Sequence, residues 1–390
     1  MWRKAYLQLL ILIIAGFFAA CGEGTIPPPP PKDPTKEPGE GPVKEPEPGD
    51  SIPNDTSAPS KPEPVYIDTL KPKNSNFFLA SSKGFGAANI YSEAQLGTRT
   101  GIYGSARDYI GRSVNLDYSF QAPARDTLKY RPFVLMVHEG AFLFGELGNE
   151  LGKARWLARK GYATAAINYR LGFNGGSPAN SCGGTNKEVI MAVYRGVQDT
   201  YSALHYFADR SEEFGIDPGQ MMLAGSSAGA IIISALVYMD EADFEELQPG
   251  IVQTLGPLDP VKTGTEYRVR ALLSYLGYAI FRTGYIRASN AKPTIFFQRT
   301  GDNVLPYEQG NLFDCGAYFW MQGSKPASDR LKFLKTPYEL NFQPEKGHIL
   351  SYTEEHVANR YAGFMKRYWS DNRRQITIEN FKTLEDIKLP

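Results

Sequence analysis

An α/β domain with a mostly parallel sheet of about eight strands and helices on both faces is predicted from about residue 65 onward. Two observations carry this. Short apolar runs alternate with helical stretches, the order expected of a sheet covered by helices. Several runs are apolar at every position rather than at every second one, which marks strands buried on both faces. In chain order, 114–121 is an early strand, and Phe133-Val134-Leu135-Met136-Val137 is an unbroken apolar one. Residues 153–160 read as a helix closed by Gly161, and 163–167 as a second buried strand ending at Asn168-Tyr169-Arg170. Residues 188–209 form a long amphipathic helix with Val193, Val197, Ala203, Leu204 and Phe207 available to one face. A short strand over 221–224 is followed at once by an apolar helix over 228–239. Strands follow over 269–273, 294–298 and 337–342, and a helix over 354–370 closes the domain.

The first 64 residues read differently. Arg3 and Lys4 precede an apolar stretch from Leu9 to Ala20, too short to span a bilayer, so 1–20 reads as a secretory leader. It ends Phe18-Ala19-Ala20-Cys21, which resembles the lipobox of bacterial lipoproteins. That resemblance implies that Cys21 is acylated and that the protein is exported and lipid-anchored; with the long tether that follows, the chain resembles surface lipoproteins of Gram-negative bacteria, which implies the outer membrane or cell surface. Fourteen of the 43 residues over 22–64 are proline, and hydrophobes are nearly absent, so 21–64 is expected to be a lipidated cysteine and a semi-rigid tether. The α/β domain is then 65–390.

Composition excludes other classes. Basic and acidic residues number 42 each, so the chain is not a polybasic nucleic-acid binder. Four histidines and three cysteines are too few for a zinc-finger or disulfide-framework protein. No Walker loop or dinucleotide fingerprint occurs, and no metal or organic cofactor is implied.

The chemistry centres on Gly225-Ser226-Ser227-Ala228-Gly229, a G-x-S-x-G run between an apolar strand and an apolar helix. Ser227 then sits on a sharp turn whose neighbours must be small, at a helix N-terminus that favours negative charge. A serine hydroxyl needs a base. Of the histidines, His348 follows the last strand in Gly347-His348, and His356 on the closing helix is the alternative; His205 reads as a structural residue of its helix. The acid is expected past a strand end and before the base. Asp302, just after the 294–298 strand, meets this best, with Asp259, Glu308 and Asp314 as alternatives. One oxyanion donor is the N–H of Ala228, and others belong to the loop His138 to Gly145.

With these pieces the chain resembles α/β-hydrolases of the carboxylesterase/lipase group, which carry H-G-G-G/A-F/W after the third strand. His138-Glu139-Gly140-Ala141-Phe142, Asn168-Tyr169-Arg170-Leu171-Gly172, Gly225 to Gly229, Gly301-Asp302 and Gly347-His348 carry the likeness, over roughly 114–369. It implies an α/β-hydrolase fold and a serine carboxylesterase working through an acyl-enzyme. Ser227 is then the nucleophile, His348 the base, Asp302 the acid, and Gly140, Ala141 and Ala228 the oxyanion donors. His138 becomes a structural part of its loop. Glu139 departs from the family pattern, and a carboxylate turned inward there would disfavour an oxyanion. A serine peptidase of the same fold and a catalytically silent surface binding protein are the rival readings.

Two expectations remain. Cys182 and Cys315 are left for a candidate disulfide, although family strand order sets their strands several positions apart. Only 29 residues, 240–268, follow the nucleophile helix before the next strand, too few for a large lid, and the glycine-rich 171–187 reads as a mobile rim. An open pocket for short acyl or carbohydrate-linked esters is expected.

Overall fold

The computed structural model describes residues 86–124, 128–369 and 375–379. The chain divides into two units, Met1–Val65 and Tyr66–Pro390, and every described residue belongs to the second. The leader, Cys21 and the proline-rich stretch lie outside the described residues.

Nine strands form one sheet in the order β1-β2-β4-β3-β5-β6-β7-β10-β11. They are β1 Leu96–Arg107, β2 Ser113–Pro123, β3 Arg131–Val137, β4 Ala163–Ile167, β5 Ile216–Ser226, β6 Val269–Tyr275, β7 Thr294–Gly301, β10 Tyr338–Lys346 and β11 Gln375–Glu379. β1 and β2 pair antiparallel, as do β2 and β4; from β4 to β11 every neighbour is parallel. This is the α/β-hydrolase arrangement. A small hairpin, β8 Gln309–Asn311 and β9 Trp320–Gln322, stands apart. The helices are α1 Leu151–Arg159, α2 Asn186–Asp209, α3 Ser211–Phe214, α4 Ala228–Tyr238, α5 Glu241–Leu247, α6 Ile251–Leu255, α7 Ser324–Phe333 and α8 Glu354–Trp369.

Strand periodicity sorts side chains to the two faces. Phe133, Leu135 and Val137 of β3 join the core under α2 and α4, whereas Val134 and Met136 join the one under α1 and α8. Both faces are therefore dry, as the unbroken apolar run required. Val193, Val197, Ala203, Leu204 and Phe207 all bury one face of α2, and Thr185 caps its start by accepting the Glu188 N–H. α4 is apolar all round, and accordingly it is buried almost throughout.

Two differences from the sequence reading concern an edge strand and a loop. β1 escaped it because Leu-Gly-Thr-Arg-Thr-Gly-Ile-Tyr-Gly-Ser-Ala-Arg buries only Tyr103. The stretch 171–187 is pinned rather than a mobile rim. Cys182 is bonded to Cys315, the Tyr318 hydroxyl donates to the Ser181 carbonyl at 2.7 Å, and Gly184 N–H donates to that hydroxyl at 3.0 Å. The loops cover the span between distant strands, bringing the two Cα atoms to 5.4 Å. The stretch after α4 folds only into the short helices α5 and α6 before β6 begins.

Candidate active site

The chain leaves β3 for β4 on one side and returns to β5 on the other, so the strand order reverses between them. A crevice opens at the carboxyl ends of strands at such a point. Val137 pairs with Gly225 there, which sets the loop after β3 beside the turn after β5.

Ser227 occupies that turn with φ 50° and ψ −114°, a conformation that costs on the order of 1–3 kcal/mol and persists only where its surroundings enforce it. The enforcement is steric and polar. A Cβ on Gly229 would lie 2.1 Å from the Val137 carbonyl oxygen, and one on Gly225 would lie 2.4 Å from the Gly229 carbonyl oxygen. The Ser227 N–H donates to the Tyr275 carbonyl of β6 at 2.9 Å. Behind the serine, α4 begins at Ala228, so partial positive charge faces the hydroxyl side of the turn.

His348 comes from β10, three strand spacings or roughly 14 Å from β5. Gly347, at φ +91°, turns the chain back, and its N–H donates to the Gly301 carbonyl at 2.9 Å. His348 Nε2 lies 2.9 Å from Ser227 Oγ. Its Nδ1 lies 2.9 and 3.0 Å from the two carboxylate oxygens of Asp302. A carboxylate on Nδ1 fixes the proton there and leaves Nε2 to accept from the serine. The Asp302 side chain is fully buried, and its Oδ1 also accepts the N–H groups of Val304 and Leu305. The carboxylate is thus held from two directions.

The alternatives are engaged elsewhere. His356 is buried on α8 with its ring stacked on Tyr352 at 4.8 Å. His205 contacts Asp259 at 3.0 Å and Thr263 at 3.1 Å. Glu308 and Asp314 are exposed, and both His348 nitrogens already face Asp302 and Ser227.

The loop after β3 is tight. Gly140, Ala141 and Phe142 have φ of +120°, 52° and 63°, and a Cβ on Gly140 would meet the Phe144 carbonyl oxygen at 1.9 Å. The Gly140 carbonyl accepts the N–H groups of Leu143 and Phe144. Among the described residues, the N–H groups of Gly140, Ala141 and Ala228 enter no hydrogen bond. His138 is fully buried, stacked on Tyr169 at 4.4 Å, with Nδ1 2.6 Å from the Glu139 carbonyl. Burial holds it below the usual histidine range, so it braces the loop as a neutral ring. The Asn168-Tyr169-Arg170 run supports it. Asn168 accepts the Leu147 N–H, the Tyr169 hydroxyl donates to the His138 carbonyl, and Arg170 pairs with buried Asp199.

Glu139 is half-buried, and its charge acts on a buried pair beneath the serine turn, Glu150 and Lys153. Glu150 accepts the hydroxyl of Ser226 at 2.6 Å. Nothing local in the sequence marks Glu150 or Lys153, and Ser226 stands at a free position of its motif. Phe142 lies 6.0 Å from Phe313, which joins the loop after β3 to the hairpin stapled by the disulfide. Among the described residues, no three His, Cys, Asp or Glu side chains cluster to hold a metal ion.

Residues 118–280 match the model of the carboxylesterase family. A probable N-octanoylanthranilate hydrolase of Rhodococcus erythropolis is 36% identical over 112 residues, which is 28% of this chain and 23% of that protein. Lipase 1 of Geotrichum candidum is 29% identical over 251 residues, 56% of this chain and 42% of that one. The chain thus spans less than half the length of these curated relatives. Among solved structures, esterase 2 of Thermogutta terrifontis aligns over 70% of this chain and 92% of its own, with a TM-score of 0.48 and 16% identity.

Proposed function

We propose that this chain is a serine carboxylic-ester hydrolase acting through an acyl-enzyme. The observation that carries the reading is the continuous relay from Ser227 Oγ through both nitrogens of His348 to buried Asp302, set on a strained strand-to-helix turn. The match of residues 118–280 to the carboxylesterase model supports the same class. Ser227 Oγ attacks the ester carbonyl while His348 Nε2 takes its proton. The negative charge falls on the carbonyl oxygen, where the N–H groups of Gly140, Ala141 and Ala228 stabilise it. His348 returns the proton to the leaving alcohol. Water then attacks the acyl carbon while His348 takes its proton; as the second intermediate collapses, the bond to Ser227 Oγ breaks, His348 returns the proton to Oγ, and the acid leaves. Asp302 holds the imidazole tautomer and steadies its charge. Labelling by a fluorophosphonate, absent in Ser227→Ala, tests the reading. An unlabelled wild type would favour a silent binding protein, and cleavage of peptides but not esters a peptidase.

The rim supports a reading of the substrate class. Only α5 and α6 and a connecting segment stand where a lid would be, and the opposite rim is pinned by Cys182–Cys315. Neither offers the broad apolar cover that long acyl chains need. Short acyl esters, including those on carbohydrates, fit this rim. kcat/KM on p-nitrophenyl acetate or butyrate is expected to exceed that on palmitate by about tenfold or more. Higher kcat/KM on palmitate, with activation at an oil–water interface, would overturn it.

The N-terminal reading is part of the same proposal. Acylation of Cys21 behind a cleaved leader would tether the domain to a membrane by the proline-rich stretch. The wild type is expected in the membrane fraction, and Cys21→Ser in the soluble fraction or unprocessed. A freely soluble wild type contradicts it.

A further inference from the structure

We propose that Glu150 is a positioning residue for the nucleophile, acting through Ser226 on the strained turn that carries Ser227. The inference rests on the esterase reading of that turn. Four contacts form a closed circuit around it. The Ser226 hydroxyl donates to Glu150 Oε1 at 2.6 Å. Lys153 Nζ lies 3.1 Å from Glu150 Oε2 and 4.9 Å from the centroid of the Tyr275 ring. The Tyr275 carbonyl accepts the Ser227 N–H at 2.9 Å, and Tyr275 is the sheet partner of Ser226. One side of the turn is therefore held by a backbone bond, and the other by a buried carboxylate.

This is an expensive way to hold a loop unless the charge has a use. Glu150 is 1% exposed and Lys153 is 5% exposed. An ion pair at such depth gains little net stability over an apolar pair of similar shape. What it supplies is a strong, directional acceptor for the one side-chain hydroxyl adjoining Ser227. With the carboxylate ionised, the Ser226 Oγ–H is fixed toward Glu150. With it protonated, that hydroxyl loses its charge-assisted partner.

The groups facing Glu150 set when that happens. They are Lys153 on α1, Glu139 in the loop after β3, Tyr169 after β4, Tyr275 at the end of β6 and Tyr361 on α8, with Glu354 of α8 acting on Tyr275. Burial pushes the Glu150 carboxyl up to about 7, opposed by Lys153 and assisted by Glu139. Burial also pulls on Lys153, but the Glu150 and Glu139 carboxylates outweigh it and keep the ammonium above its usual value. Glu150 thus changes charge in the neutral range while Lys153 does not.

The test uses the full chain and the rate of fluorophosphonate labelling of Ser227 from pH 5.5 to 8.5. Glu150→Gln is expected to react about tenfold slower than wild type at pH 8.5. The two should converge to within about threefold at pH 5.5, because wild-type Glu150 then carries its own proton. Ser226→Ala cuts the same link from the other end, leaves the buried pair intact, and should converge likewise. It carries the test if Glu150→Gln fails to fold. With p-nitrophenyl acetate, the loss should fall on kcat with KM within about twofold. A merely structural role gives a ratio that does not change with pH. A flat ratio, or variants equal to wild type, overturns the proposal while leaving the esterase reading intact. A wild type that never labels removes that reading and this one with it. Melting temperature gives a readout free of catalysis. A carboxyl raised in the folded state lends stability below its unfolded value, and that stability is lost as pH rises from about 4.3 to about 7. Wild type should lose stability against Glu150→Gln across that window, and parallel curves would overturn the assignment.

Discussion

Ser227→Ala is expected to lower kcat on p-nitrophenyl acetate by about 10⁴-fold or more, since the members of such a relay act as a unit. His348→Ala should cost a similar amount, because without Nε2 at 2.9 Å the hydroxyl has no acceptor for its proton. His356→Ala should change kcat little, as its ring is spent on Tyr352 and Phe297. The double variant Ser227→Ala/His348→Ala should be hardly worse than either single one. Steady-state kinetics at pH 8, on protein with a wild-type circular dichroism spectrum, decide this. Near-normal turnover in Ser227→Ala would end the mechanism.

Arg360→Met is expected to lower folding stability by about 3 kcal/mol or more. Glu339 of β10 is fully buried, with the Arg360 guanidinium of α8 at 2.6 and 2.9 Å and a second contact from Arg367. Asn341 donates to the same carboxylate. Removing Arg360, itself fully buried, leaves that carboxylate with the more exposed Arg367. The same strand delivers Gly347 and His348 to the site, so the loss should also lower the temperature at which activity fails. Urea unfolding of the two proteins measures the first effect, and a difference under about 1 kcal/mol would mean that Arg367 and Asn341 satisfy Glu339 without Arg360.

What could be read in advance follows the physics of each element. β3 and β4 were legible because a strand buried on both faces has no polar position to blur it. The serine turn was legible because its steric demand falls on adjacent residues, Gly225, Ala228 and Gly229. Asp302 and His348 stood out only as polar residues just past strand ends; their meeting depends on β7 and β10 being neighbours, which no local pattern encodes. β1 was lost because an edge strand can be mostly polar. α7 was lost because Ser-Lys-Pro-Ala-Ser-Asp-Arg-Leu-Lys-Phe buries just four of its ten residues. Glu150 was the hardest. A glutamate in a Gly-Asn-Glu-Leu-Gly stretch reads as surface, and its hydroxyl partner lies 76 residues away.

The cystine has a topological consequence for the site. It joins positions 133 residues apart, and a cross-link of that span removes about 5 kcal/mol of chain entropy from the unfolded ensemble. Ser227 and Asp302 lie within the covalent ring so formed, and His348 lies outside it. A single proteolytic cut between Cys182 and Cys315 therefore opens the ring without dividing the molecule. Both fragments stay tethered at the rim, and a cut placed between Ser227 and Cys315 leaves each with its part of the relay within reach of the other.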